Sequence, residues 1–349
     1  MIRLLVGTFW VLAAACGAPA SRAELLEASV REAEAFEEEV RARHVLLSDP
    51  SLEAWLAGIL QRLFPERGLS EAVFVLREPL GNAFVLSNGH IYVTTGLLAL
   101  LRDEAELAAV LAHEGVHHEL EHLLASAKAA RADRFRVLTG NARIGAAYSR
   151  DQERAADAIG LERLLRAGYP GCAMTNALTR LEDLALAQGD AGEASSTHPA
   201  LRERVATLAR RFPAQARPVD AAYQSRTQAA RESAYSAAVR LQLGAQLRLW
   251  LSDRDLQAAT PMEAYAMAQG ELLGQGGDVA EAERSLRQAV ALRADFADAH
   301  LALARLLVKQ EQLDQARGHF QDYLRLRPLA EDARFVRREL EDASRAQHP

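Results

Sequence analysis

Hydrophobic positions recur at helical spacing along most of the chain, with one interruption. Residues 24–64 are rich in Ala, Glu and Leu, and Pro50 opens a second helix carrying Trp55, Leu56, Ile59, Leu60 and Leu63 on its apolar face. The period then shortens. Residues 72–76, 83–86 and 90–94 read as three strands, and Ser87-Asn88-Gly89 is a tight-turn signal between the last two. From Gly96 the helical period returns and persists nearly to the end. The pattern predicts an α+β fold that is mostly α, with one small β-sheet followed by a long helical region.

Two prolines close together in Pro213-Ala214-Gln215-Ala216-Arg217-Pro218 break that helical region and mark a linker. Beyond it, residues 263–296 and 297–330 are consecutive helix–turn–helix units of equal length. Gly270, Ala282, Leu286 and Ala289 of the first fall on the positions of Ala304, Ala316, Phe320 and Tyr323 in the second. Small residues at helix crossings, large ones between them and a closing Pro328 resemble the tetratricopeptide repeat. The first unit departs from it with Ala294 in place of the proline, and a generic pair of helical hairpins is the plainer alternative. Residues 331–346 are expected to form a polar capping helix. The predicted division is residues 1–23 as a leader, 24–212 as one domain, 213–254 as linker and connecting helices, and 255–349 as repeats.

Composition narrows the class. A chain of 349 residues, 49% hydrophobic and 25% charged, is globular and long enough for two or three domains. Its 41 basic and 47 acidic residues give a formal charge of −6, which argues against general nucleic-acid binding. The first 23 residues read as an export signal: Arg3, an apolar stretch over 4–15, then small residues with cleavage expected after Ala20 or Ala23. The alternative is a lipoprotein signal with Cys16 as the modified residue. Loss of Arg3 and Arg22 with the leader changes the charge from −6 to −8 and leaves Cys172 as a lone cysteine, read as a small buried hydrophobe. These signals predict a periplasmic or secreted protein, or an outer-membrane lipoprotein, with no transmembrane span in the mature chain.

Chemistry concentrates in Ala112-His113-Glu114-Gly115-Val116-His117, within a helix expected to start near Asp103. His113 and His117 are four residues apart, so both imidazoles leave one helix face and can grip one metal ion. Glu114 then lies beside the open coordination position, where a carboxylate can take a proton from water. His118 and His122 place four of the ten histidines within residues 113–122, which also fits a merely His-rich face. A third ligand separates the two readings. Glu153, with Asp157 four residues later on the same face, is the candidate. A carboxylate there completes a two-His, one-Glu zinc site, and Asp157 is placed to orient a ligand histidine. In isolation the same pair suits an exposed helix with ordinary charge pairs.

These motifs resemble the HtpX/BepA/Oma-like zinc metallopeptidases, relatives of the CAAX prenyl protease. The likeness extends to Asn82-Ala83-Phe84 and to Gly89 through Leu98 before the metal helix. It continues through Glu153 to Gly160, Ala167-Gly168-Tyr169-Pro170, and Ser196-Thr197-His198-Pro199 with Arg204. It covers residues 45–210. The resemblance implies a zincin-like peptidase domain in which His113, His117 and Glu153 hold one Zn2+ per chain and Glu114 is the general base. It places His198 and Arg204 beside the cleft as oxyanion stabilisers, with His198 alternatively a removable fourth ligand. The spanning helices of the intramembrane members are absent.

The function expected on this basis is zinc-dependent hydrolysis of peptide bonds in unfolded or misassembled proteins of the bacterial cell envelope. The repeats would bind substrate or an envelope protein partner. Strand 90–94 is expected to be an exposed edge that pairs with substrate, and residues 123–150 a loop or short helix over the cleft. The alternative function is a periplasmic chaperone or scaffold acting through the repeats, with the metal site latched or vestigial.

Overall fold

The computed structural model describes residues 21–66, 73–122, 148–188, 200–217, 220–251, 259–274 and 276–345. Residues 1–20 of the expected leader with Cys16, His198, and residues 123–147 of the expected loop over the cleft lie outside them; Ser21 to Ala23 and Arg150 already belong to helix starts. The chain divides between Arg231 and Glu232 into two compact units.

The first unit opens with helix α1, Arg22–Ala42, started by a capping box between Ser21 and Glu24. Helix α2, Pro50–Leu63, begins where Asp49 caps the amides of Ser51 and Leu52 and proline takes the first turn. Three strands follow: β1 at Val73–Leu76, β2 at Ala83–Val85 and β3 at Ile91–Thr94. β2 and β3 form the antiparallel hairpin predicted by Ser87-Asn88-Gly89, and β1 pairs in parallel with the far side of β3.

The sheet order is therefore β1-β3-β2, and the expectation that residues 90–94 form an exposed edge is corrected. β3 is the central strand, hydrogen-bonded on both sides and buried throughout. The outer side of β1 is also occupied, because the Leu47 amide donates to the Val75 carbonyl and the Arg77 amide to the Val45 carbonyl. That leaves β2 as the edge among the described residues. One sheet face carries an aromatic stack in register, Phe74, Tyr92 and Phe84, with Phe36 of α1 packed edge-on against Tyr92 and Phe84. α2 packs on β1.

After β3 come α3 (Thr95–Leu100), α4 (Glu104–Glu119), α5 (Arg150–Arg166), α6 (Cys172–Ala187) and α7 (Leu201–Ala209). Asp103 caps α4 by accepting from the Glu106 amide at 2.8 Å, and Glu104 and Glu106 complement the positive helix start. α4 is the core helix of the unit. It packs on β2, β3, α2, α5 and α6, and every residue from Ala105 to His117 is buried. Cys172 opens α6 and is buried, as its sequence setting suggested. Helix α8, Ala221–Arg226, follows residues 213–217, which are irregular.

Helix α9, Gln228–Arg240, carries the chain into the second unit, where α10 is Gly244–Leu251. Two helical hairpins come next, α11 (Pro261–Leu273) with α12 (Val279–Leu292), then α13 (Ala297–Lys309) with α14 (Leu313–Leu326). Helix α15, Ala333–Arg345, packs on α14. The repeat positions read from sequence are the buried ones: Gly270, Ala282, Leu286 and Ala289, then Ala304, Ala316, Phe320 and Tyr323. Small residues let the helices cross closely while Leu286, Phe320 and Tyr323 fill the space between them.

Candidate metal centre

The site forms where α5 lies against α4. Gly160 of α5 permits the approach: a Cβ there would stand 3.3 Å from the His113 amide nitrogen and 3.4 Å from the Ala112 carbonyl carbon. At that separation Glu153, on the first turn of α5, reaches the two histidines of α4. The capping box of Ser149 and Gln152 starts α5 at the position this requires, and Gln152 Nε2 also donates to the His122 carbonyl at 3.2 Å, tying the two helices together.

His113 Nε2 and His117 Nε2 are 3.0 Å apart, and Glu153 oxygens lie 3.5 Å from the first and 3.4 Å from the second. A metal ion bound tetrahedrally at about 2.0–2.1 Å separates its ligand atoms by about 3.3 Å. The three donors thus stand at the corners of such a polyhedron with one corner open. All three are buried, Glu153 and His117 completely.

Each histidine is aimed by a partner at its other nitrogen. His113 Nδ1 lies 3.0 Å from Asp157 Oδ1, and His117 Nδ1 lies 3.1 Å from His122 Nδ1. With both Nε2 atoms turned to the cluster, His113 donates to Asp157 and His117 donates to His122. Tyr148 stacks on the His117 ring with centroids 3.7 Å apart. Spacing offered no signal for Tyr148, whereas His122 was already visible as one of the four histidines of residues 113–122 and as part of the family resemblance.

Arg204 of α7 is buried beneath this cluster. Its Nε and Nη2 donate to the two Asp157 oxygens at 2.8 and 2.7 Å, while Nη1 pairs with Glu153. Two nitrogens therefore hydrogen-bond Asp157 and the third faces the Glu153 carboxylate as a charge pair. Glu114 is buried beside the ligands, and its charge acts on both Tyr148 and Arg204.

The charge balance fits a divalent cation. Three buried carboxylates, Glu114, Glu153 and Asp157, face one guanidinium, Arg204. Burial works against the Asp157 carboxylate, yet Arg204 and His113 hold it down at about 2. Burial and Arg204 both work to lower His113, but its bonds to Asp157 and Glu153 prevail and raise it to about 9. Protons are drawn toward a group with excess negative charge, and two neutral imidazoles with a carboxylate are the donors that zinc-class ions take.

A family model described as peptidase family M48 matches residues 50–146 and 135–212, and a tetratricopeptide-repeat model matches residues 273–334. The chain is 31% identical to the mitochondrial metalloendopeptidase OMA1 of Schizosaccharomyces pombe, covering 43% of this chain and 50% of that protein. It is 25% identical to the β-barrel assembly-enhancing protease of Escherichia coli, over 48% of this chain and 40% of that one. The putative counterpart of the latter in Vibrio cholerae is 24% identical, over 49% and 41%. The chain thus spans half or less of the length of these relatives. Residues 50–212, with their two histidines and glutamate converging across α4 and α5, are a metallopeptidase domain of family M48, followed here by tetratricopeptide-like repeats.

Proposed function

We propose that this chain is a zinc-dependent endopeptidase acting on unfolded or misassembled proteins of the bacterial cell envelope, in the periplasm. The observation that carries the reading is the 3.0–3.5 Å convergence of His113 Nε2, His117 Nε2 and the Glu153 carboxylate in a buried site with Glu114 beside it. The location is supported by the leader-like sequence of residues 1–23 and by the relatives named for β-barrel assembly. Among the described residues no helix is long and apolar enough to cross a membrane.

His113, His117 and Glu153 would hold a zinc ion, which when bound would supply a Lewis acid to polarise the scissile carbonyl and bring the pKa of water towards about 7. Glu114 accepts the water proton and delivers it to the leaving amine. Asp157 and His122 keep the ligand imidazoles in one orientation and tautomer, and Tyr148 holds the His117 ring from its face. Arg204 fixes Asp157 through Nε and Nη2 and pairs with Glu153 through Nη1, and its buried charge favours an oxyanion. His198 is the direct donor in this reading, or alternatively a removable fourth ligand.

Substrate would be positioned along β2, the unpaired edge among the described residues, whose own residues are buried so that a peptide must displace what covers them. In the β2–β3 ladder the Thr94 amide donates to the Asn82 carbonyl and the Leu86 amide to the His90 carbonyl, so Ala83 and Val85 turn their backbone groups to the other edge. An extended peptide pairing there would be held by its main chain, which tolerates many side chains. The repeats supply a second protein-binding surface, for substrate or an envelope partner.

The test is hydrolysis of a denatured protein such as reduced casein by the purified chain. Chelation is expected to abolish cleavage and Zn2+ to restore it. Glu114→Gln is expected to lower the rate by about 10²–10⁴ with metal retained. Full activity in Glu114→Gln overturns the proposal. Function in cells that survives Glu114→Gln but not loss of residues 255–349 would establish the chaperone or scaffold alternative.

A further inference from the structure

The second unit contains another group with the geometry of a ligand set, far in sequence from the peptidase motifs. His300 on α13 and His319 and Asp322 on α14 bring two ring nitrogens and a carboxylate oxygen within 4.8 Å of one another. His300 Nδ1 is 3.0 Å from His319 Nδ1 and 3.6 Å from Asp322 Oδ2. These separations bracket the roughly 3.3 Å edge expected for donors on a tetrahedral ion.

The tautomer of His300 points the same way. Its Nε2 lies 3.0 Å from the Ala294 carbonyl, an acceptor only, so Nε2 carries the proton and donates. The neutral ring then presents a lone pair at Nδ1, the atom turned toward His319 and Asp322. The Ala294 carbonyl thus stands to His300 as Asp157 stands to His113, fixing the ring through its far nitrogen. His300 is buried, so its ring cannot turn away to water.

The remaining two residues sit one helical turn apart on α14, and both are half-buried. Asp322 uses Oδ1 to accept from Arg325 at 2.9 Å, and Oδ2 is the atom nearer His300. Arg287, whose charge reaches His319, is itself paired with Glu283. The partial exposure of His319 and Asp322 leaves room for water to complete a coordination sphere. Two imidazoles and one carboxylate select ions of the zinc class over calcium or magnesium, which prefer oxygen.

We propose that His300, His319 and Asp322 form a second site for a divalent transition-metal ion, which clasps α13 to α14 within the repeat hairpin. The plain competing arrangement is a hydrogen bond from His319 Nδ1–H to His300 Nδ1, with no ion.

Counting ions on the tag-free full chain decides between them. After loading with Zn2+ and exhaustive dialysis, elemental analysis is expected to give two ions per chain in the wild type, one in His319→Ala and one in His117→Ala. The double variant is expected to hold none. His319→Ala should retain full peptide hydrolysis, and its half-buried side chain makes loss of fold an unneeded explanation, checked by circular dichroism. Cobalt titrated into His117→Ala should produce one visible d–d absorption band, lost in His319→Ala/His117→Ala and formed at about 10–100-fold higher cobalt with Asp322→Asn. One ion in the wild type, one in His319→Ala and none in His117→Ala overturns the proposal. One ion fewer in His319→Ala, with no loss in His117→Ala, would sustain this site and overturn the zinc assignment of the peptidase site instead.

Discussion

Replacing Arg204 by methionine isolates what the buried guanidinium does. Arg204 is 4% exposed and binds Asp157 through two nitrogens at 2.7 and 2.8 Å and Glu153 through the third. Asp157, at about 2 instead of the ordinary 3.8, prefers its ionised form by about 2–3 kcal/mol more than it would in water. Glu153 loses its cation as well. Stranding one partner of a buried ion pair costs about 3–5 kcal/mol, so Arg204→Met is expected to fall in that range in chelator-treated protein at pH 7. Hydrogen exchange of the α5 amides is the assay, with an expected acceleration of about 10²–10⁴-fold. Zinc should shrink the loss, because the ion takes over the charge of Glu153. The pH dependence has a definite sign. A carboxylate depressed in the folded state stabilises above its unfolded value near 3.8, and that contribution disappears as pH falls towards 2. Without Arg204 burial is no longer outweighed, so that contribution is expected to vanish and the loss of stability between about pH 4 and 2 to flatten. Exchange within tenfold of wild type at pH 7 in chelator would refute the argument that Arg204 balances the site.

Further tests concern the supports of the ligands. His122→Ala removes the acceptor for His117 Nδ1 and is expected to weaken zinc binding by about 10–100-fold while the fold persists, read by competition with a chromogenic chelator; unchanged affinity would show that Tyr148 alone fixes the ring. A Cβ at Gly115 would stand 2.3 Å from Phe64 Cζ, so Gly115→Ala should cost about 1–3 kcal/mol in urea unfolding, and Phe64→Leu in the same chain should recover part of it. Asn88 and His90 hold the Glu37 carboxylate below its ordinary 4.5 despite the opposing effect of burial. Its contribution is therefore present above about pH 4.5 and lost as pH falls. Glu37→Gln should flatten the fall of the urea midpoint between pH 5 and 3, and an unchanged slope would count against it.

The parts of the protein readable in advance are those governed by local geometry. His113 and His117 share a face because a helix turns once in 3.6 residues, and Asp103 and Pro50 mark helix starts because unpaired amides need a nearby acceptor and proline lacks one of those amides. The repeat positions from Gly270 to Tyr323 follow from the same period. Strand order was not readable. Alternation shows which side chains face one way, but it does not tell which strand lies between two others, and so β3 was misplaced at the edge.

By itself, then, the sequence determined the helical metal motif, the candidate third ligand, the hairpin turn and the repeat hairpins, since each depends on residues a few positions apart. Only the tertiary structure decided that α5 approaches α4 at Gly160, that Arg204 spends its nitrogens on Glu153 and Asp157, and that His122 aims His117. It alone brought His300 to His319 and Asp322 across a hairpin. Those contacts join positions 5 to 51 residues apart, and they arise where helices bury their apolar faces against one another. The packing, and not the spacing along the chain, selects which polar side chains meet inside.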